Sequence, residues 1–276
     1  MEVLFGAVLV VAAAAQSPAQ GWQTLSVERS KLPTQDLSVL VRHDVGQLSI
    51  RPARDSVRYR ANLRYDGRAV EPIYRYADDS AALRIGTRER QGGKSGEGRR
   101  SSNLELSLGT SGTLALDVRA GAAEALLDLG GLPITALAVS SGASDTRVRF
   151  DRPNPVRMKS LTLSTGAASI TAERLGNANA DEIVVRSAVG EIDLDLSGTW
   201  QNDTEVRAEV TLGTLTIRVP SDLAVHVETS RVLAGLSHEG LEKRGSAYVS
   251  DNWDTAKRKV RIYAQTVVGY LKIERR

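Results

Sequence analysis

The sequence contains no cysteine, so neither disulfides nor thiolate metal sites contribute to its fold. Aromatic residues make up only 4% of the 276 residues, and Val, Leu, Ile and Ala must therefore supply the core. A core of such side chains suits thin, regularly stacked layers better than a bulky globule. The three histidines, His43, His226 and His238, lack the spacing of a His-Glu-x-x-His zinc motif. The composition therefore predicts no metal and no cofactor.

Long apolar runs are absent apart from residues 3–15, which are too few to span a bilayer. A small-residue segment follows at 16–20, so residues 1–19 are predicted to be a signal peptide. Cleavage after Ala15 and cleavage after Ala19 both fit, although Met1 and Glu2 supply no positive charge before the run. The alternative is a buried N-terminal strand or helix. We expect export to the periplasm or cell surface of a bacterium, with no transmembrane segment in the mature chain.

The sequence also lacks a strong excess of positive or negative residues, because 36 basic and 33 acidic residues give a formal net charge of only +3. The basic residues are scattered among acids, which argues against nucleic acid as a partner. Weak attraction to acidic glycans or lipid headgroups is one interpretation of the surplus. A mixed, solvated surface is the simpler one.

The chain does contain a repeat centred on glycine. Gly121, Gly142, Gly166, Gly190 and Gly213 are spaced by 21, 24, 24 and 23 residues, and the pattern returns at Gly46 and Gly269, with a degenerate copy at Gly235. Small or apolar residues follow each glycine at +2, +4 and +6, with polar residues between them. This period of two predicts strands with one buried face. Glycine at the start of each pattern predicts a sharp turn at positive φ.

The recurrence predicts short strands in coils that stack and pair with their neighbours, forming a single-stranded β-solenoid with a repeat of about 21–24 residues. An antiparallel sandwich is the rival architecture. We expect one domain over residues 20–276, with regular repeats at 110–276. Residues 37–90 are predicted to form less regular first coils or a capping sheet. The Gly-rich, charged segment 88–103 is predicted to be a flexible exposed loop.

The C-terminal half resembles a known family through residues 206–219, 220–228, 240–245 and 259–273. These segments are similar to the bacterial toast-rack domains, which include adhesin-like domains of exported proteins. They are also similar to the C-terminal domain of membrane proteins that respond to cell-wall-active antibiotics. The resemblance implies a right-handed solenoid at the cell envelope, a binding or structural role and no catalytic residues. Membrane helices of the antibiotic-response proteins are missing, which favours a free exported protein.

The sharpest polar feature is an acidic row made of Glu191, Asp193 and Asp195, whose side chains should share the outer face of one strand. Asp145 and Glu124 are predicted to occupy equivalent outward positions in earlier coils. Calcium binding would need six to eight converging oxygens. Carboxylate chemistry on a polysaccharide would need two groups roughly 5–9.5 Å apart. The third interpretation is a solvated face on which Arg147 and Arg218 pair with the acids.

The other motifs in the sequence give little evidence of a functional site. Residues 92–95 (Gly-Gly-Lys-Ser) lack the first glycine and the helix of a phosphate-binding loop. No Gly-x-Ser-x-Gly elbow is present. Trp200 is expected either to cap the core or to stack on a sugar. The sequence thus predicts a non-enzymatic, adhesin-like envelope module that binds an envelope protein or a glycan. The alternative is a solenoid that binds or cleaves polysaccharide with the acidic row.

Overall fold

The alternation of apolar and polar residues folds into β-strands almost throughout. A computed structural model describes residues 21–30, 36–54, 57–91 and 102–276, so the predicted signal peptide and residues 92–101 of the predicted loop lie outside the described residues. The described residues form seventeen strands and one short 3-10 helix, Leu175–Ala178. The strands are β1 (Trp22–Ser30), β2 (Leu37–Pro52), β3 (Val57–Asp66), β4 (Val70–Ala77), β5 (Ala82–Glu89), β6 (Ser102–Leu108), β7 (Leu114–Asp128), β8 (Ile134–Ser141), β9 (Thr146–Arg149), β10 (Met158–Ala167), β11 (Ile170–Glu173), β12 (Ala180–Asp195), β13 (Thr204–Val219), β14 (Ala224–Glu239), β15 (Glu242–Arg244), β16 (Ala247–Val249) and β17 (Lys259–Arg275). The protein is therefore all-β, as predicted.

Successive coils pair in parallel and in register. β2 pairs with β7, which pairs with β8 and β9, and these pair with β10 and β11. The ladder continues through β12 and β13 to β17 and then β14. An antiparallel sandwich, the rival architecture, would not produce this parallel ladder.

Each coil has a first arm and a second arm that meet at a corner. In β12 the first arm ends near Ser187 and the second begins near Ile192, with one continuous strand through the corner. The strands are consequently longer than the short ones predicted, and β12, β13 and β14 each have 16 residues. The glycine bends the chain there without interrupting the pairing to the next coil.

The repeat glycines occupy two different positions at this corner. Gly46, Gly190, Gly213 and Gly269 have φ between +119° and +143°, as a turn at glycine requires. Gly190, Gly213 and Gly269 pair with one another across coils. Gly121, Gly142 and Gly166 do not have positive φ and lie two residues earlier, because Thr165 pairs with Ser187 and Ala167 with Val189. The prediction of positive φ was therefore wrong for these three, and for Gly235, because Ala234 is the residue that pairs with Gly269.

The core lies between the two arms and is closed on the third side by the loops that join the coils. Ile183, Val185, Ile192 and Leu194 of β12 are fully buried, and the same positions are apolar in the coils on either side. Asparagines line the third side. Asn154, Asn177 and Asn179 are buried and bond the backbone of neighbouring coils.

The two ends of the stack depart from a simple coil order. At the N-terminal end, β5 and β6 pair with β2 in parallel. Three further strands pair in antiparallel: β4 with β5, β3 with β6, and β1 with β3. At the other end, β17 lies between β13 and β14, so the last strand in sequence is not the last in the stack. The sequential order of coils thus holds from β7 to β13 only.

Candidate binding face

The acidic row lies on the second arm of β12. Glu191, Asp193 and Asp195 alternate with the buried Ile192 and Leu194, so their side chains point outward, as predicted. Glu191 is exposed, whereas Asp193 and Asp195 are half-buried. The difference follows from what surrounds each carboxylate.

Asp193 forms an ion pair with Arg218 of β13, the neighbouring coil. Arg218 had been predicted as a partner of the row. The same guanidinium lies 3.8 Å from Glu274 of β17, so Arg218 connects two coils. Arg147, the other predicted partner, instead lies 3.6 Å from Glu173. Charges on this face are therefore paired from one coil to the next.

Asp195 has a different role. Its carboxylate accepts hydrogen bonds from the backbone N–H of Ser197 at 2.9 Å and from the Ser197 hydroxyl at 2.8 Å. The backbone N–H of Arg174 in the preceding coil also donates to it, at 3.4 Å. Asp195 thus fixes the point at which the chain leaves the face, and its oxygens are largely occupied.

Around these residues lies an open groove of about 620 Å³, which we call the charged groove. Its walls carry both signs of charge and cross several coils. The charged side chains that line it are Arg147, Glu173, Asp193, Asp195, Arg218 and Arg276. The groove is therefore suited to an extended ligand with several polar groups, since no single charge dominates it.

The two carboxylates predicted in earlier coils, Asp145 and Glu124, do not line the charged groove. The register between coils aligns Glu124 and Asp145 with Glu191, which lies two residues before Asp193. The offset arises because the repeat glycines of the earlier coils lie two residues before the position of Gly190. Asp145 accepts a hydrogen bond from the Ser169 N–H at 3.3 Å, and Glu124 lies 3.4 Å from the Gln47 amide. Asp145 and Glu191 are separated by the coil of Ser169, so the predicted acidic residues do not converge on one point.

Trp200 lies outside the charged groove. Its indole N–H donates to the Leu196 carbonyl at 2.9 Å, and its ring packs against the core. These contacts are the ones expected of a Trp that caps the core, and stacking on a sugar stays a prediction. Trp200 borders a separate depression with Pro220, Lys257 and Arg258.

Glu274, which the repeat pattern did not single out, belongs to the same charge network. Its carboxylate is buried and pairs with Lys272, with Arg276 at 2.8 Å and with Arg218 at 3.8 Å. The hydrogen bond from Lys272, followed by the charge of Arg276, holds the pKa of Glu274 below its usual range. Basic residues two positions before and after Glu274 were the available signal, because they share its face of the strand.

The three histidines are spread over the molecule. His43 is fully buried, His226 lies beside Trp253 with ring centroids 5.5 Å apart, and His238 stacks on Tyr248 at 4.3 Å. Within the described ranges, no three residues of the types His, Asp and Glu converge to hold a metal ion.

No helix in the described part of the chain has the length and apolar character needed to cross a bilayer.

Two family models together match most of the chain. Residues 16–171 match the N-terminal domain of toast-rack proteins, and residues 171–273 match the C-terminal domain of LiaF, of the cell-wall-active antibiotics response. The boundary falls inside β11, where the parallel stack continues without a break. No curated protein matches the chain at a significant level.

Solved structures similar to this chain include a candidate cell adhesion protein from Clostridium sporogenes, with 16% identity and a TM-score of 0.49 over 92% of this chain and 100% of that chain. A candidate adhesin from Parabacteroides merdae has 9% identity and a TM-score of 0.40, covering 93% and 97% of the two chains. A candidate lipid-binding protein from Parabacteroides distasonis has 8% identity and a TM-score of 0.30, covering 92% and 97%. The first family model alone spans more than half of the sequence, and the chain belongs to the toast-rack family.

Proposed function

We propose that this protein is an exported, non-enzymatic binding module of the bacterial cell envelope. Family membership supports an envelope association, since the second family model is that of a protein of the cell-wall-active antibiotics response. The predicted signal peptide supports export. The observation that carries the binding role is the register of the coils, which places outward side chains of successive strands in continuous rows. Such rows suit a long partner better than a small molecule.

The pairing of charges on the face favours binding over catalysis. Cleavage of a glycoside by two carboxylates needs one group to donate a proton and the other to act as base or nucleophile. Asp193 is instead paired with Arg218, and Asp195 accepts two hydrogen bonds from Ser197. Both carboxylates are therefore occupied by contacts within the protein, and the Asp193 pair holds neighbouring coils together.

We infer that the ligand is an extended polar chain, either a glycan or a segment of an envelope protein, lying along the charged groove. Arg147, Arg218 and Arg276 would contact acidic or hydroxyl groups, and Glu173 and Asp193 would accept hydrogen bonds from hydroxyls. The right-handed single-stranded solenoid predicted from the repeat is consistent with this role, and the parallel pairing supports it.

The test is a glycan array and an envelope pull-down with the chain from Gln20, run beside a turnover assay on the same polysaccharides. We expect saturable binding without product, weakened about tenfold, or about 1.4 kcal/mol, by Arg218→Gln. The matched control is Arg186→Gln, which removes a comparable exposed pair with Glu209, 3.1 Å away, on the first arm. Equal loss in both variants would contradict the assignment to the groove.

Polysaccharide cleavage is a second candidate function, and the same assay tests it. Asp193 and Asp195 line one groove, as a polysaccharide-cleaving site would require. Shortening of any glycan in the turnover assay, abolished by Asp193→Asn, would replace the binding proposal with a catalytic one.

A further inference from the structure

The last coil of the stack, formed by β14, has no further coil packed against its outer side among the described residues. After Val227, no residue of β14 is buried, although several of the residues that pair with them in β17 are buried, among them Ala264, Leu271 and Ile273. Leu236 pairs with the fully buried Leu271, yet Leu236 itself remains only partly covered. The core therefore ends here without the layer that covers it elsewhere.

The backbone of this coil is also open along one edge. One edge of β14 pairs with β17 along the strand, and β16 covers the other edge only from His226 to Glu228. Thr229–Glu239 has no second neighbouring strand among the described residues, and we call this segment the open end. An uncovered edge of this length is a template for another strand.

Among the described residues, the large apolar side chains with the highest exposed fractions lie on the open end. Val232 and Leu233 are 71% and 74% exposed, more than any other large hydrophobic residue in the described ranges. They continue an apolar line along the corner of the stack, in which Leu233 pairs with Val268, and Val268 with Leu212. Contiguous exposed apolar surface of this kind marks an interaction site.

The other end of the stack lacks these properties. It finishes on β1 and β4, each of which pairs on one edge with an antiparallel strand. β4 carries Pro72, which cannot donate to a further strand, and β1 carries Glu28 and Arg29. Neither strand contributes a large exposed hydrophobic residue among those described. Within the part of the chain that the structure describes, only one end of the stack therefore has an open, apolar edge, and assembly through it gives a closed pair and not a fibre.

We propose that the occupant of the open end is the open end of a second copy of this chain. Thr229–Glu239 extends five residues to either side of Ala234, the corner residue that pairs with Gly269. A two-fold axis through this corner would lay the first arm of one copy on the second arm of the other, in antiparallel. β16 stops at the level of Glu228 and would not obstruct the pairing. Val232, Leu233 and Leu236 would then become buried between the two copies.

The chain's lack of cysteine makes this arrangement directly testable. In the proposed dimer, residue 234 of each copy lies beside the two-fold axis, so Ala234→Cys should form an intermolecular disulfide under mild oxidation. Ala167→Cys is the matched control, because Ala167 is exposed at the same corner on β10, several coils away. A cross-link no stronger than that of the control would overturn the proposal.

Sedimentation equilibrium gives the second measurement, with the full chain and the chain from Gln20 in parallel. We expect a dimer whose dissociation constant rises at least about tenfold in Val232→Lys, while Leu126→Lys, at an exposed leucine of β7 several coils from the open end, leaves it within about threefold. Residue 232 of one copy faces residue 236 of the other in this register, so mixing Val232→Lys with Leu236→Glu should restore the dimer, which a folding defect would not allow. Monomer at every concentration would overturn the proposal. Dimer formation by the shortened chain alone would overturn it in favour of the N-terminal segment as occupant.

Discussion

Glycine at the corner is required in some coils and replaceable in others. Gly213 has φ of +143°, and an added Cβ would overlap the carbonyl oxygen of Gly190 in the neighbouring coil. Gly142 has no positive φ, and its added Cβ would lie 3.1 Å from the Gly121 oxygen. Gly213→Ala should therefore lower the free energy of unfolding by about 2 kcal/mol or more, and Gly142→Ala by about 1 kcal/mol or less. Urea unfolding measures both, and equal losses would contradict the two-position assignment.

His43 should make stability depend on pH. Burial lowers its pKa to about 4 from 6.5, although the nearby Asp44 charge acts in the opposite direction. Its ring lies 3.2 Å from the Thr87 hydroxyl and 3.3 Å from that of Ser102. Because the unfolded chain binds the proton more readily, the His43 contribution is complete above about pH 6.5 and is lost as pH falls to about 4.

The expected loss is about 3 kcal/mol from this one residue. Since carboxylates such as Glu274 also destabilise on acidification, the measurement is the difference between the wild type and His43→Gln across this range. That difference should shrink as the pH falls. A constant difference between wild type and His43→Gln would show that His43 does not titrate as proposed.

At the scale of the element, the asparagines on the third side join the coils. Asn154 is fully buried and donates to the carbonyls of Ile134 at 2.8 Å and Ala178 at 3.1 Å. It also accepts from the Ile134 and Val156 N–H groups. Asn154→Ala would leave these backbone groups buried without partners and should cost about 3 kcal/mol or more. Asn202→Ala, which removes a 2.7 Å bond to Asn179 at a less buried site, should cost about 1 kcal/mol. Thermal or urea unfolding would test the ranking.

The strands and their buried faces could be predicted from the sequence, because the period of two is visible in every coil. The two glycine positions could not, since a shift of two residues leaves the inward and outward alternation unchanged. For the same reason the alternation alone could not show that Asp145 lies in line with Glu191 and not with Asp193. The buried role of Asn154 also gave no local signal, because a loop asparagine has the same sequence whether it faces solvent or the core.

The candidate site was predictable to the same extent. The outward row and its pairing with Arg218 follow from alternation and from the spacing of neighbouring coils. The contribution of Glu274 could not be foreseen, because it depends on β17 lying directly beside β13. Sequential stacking would have placed β14 there.

At the scale of the whole molecule, the insertion of β17 makes the last coil depend on the last residues of the chain. β14 pairs with β17 over most of its length and with β16 at three residues, whereas none of its described pairings is to β13. Removing residues 259–276 should therefore abolish hydrogen-exchange protection throughout Ala224–Glu239. Protection in β7 to β11 should persist, because stacked coils depend mainly on their nearest neighbours. Protection of β14 in the shortened chain would mean instead that β14 can occupy the position beside β13, and that β17 displaces it when the chain is complete.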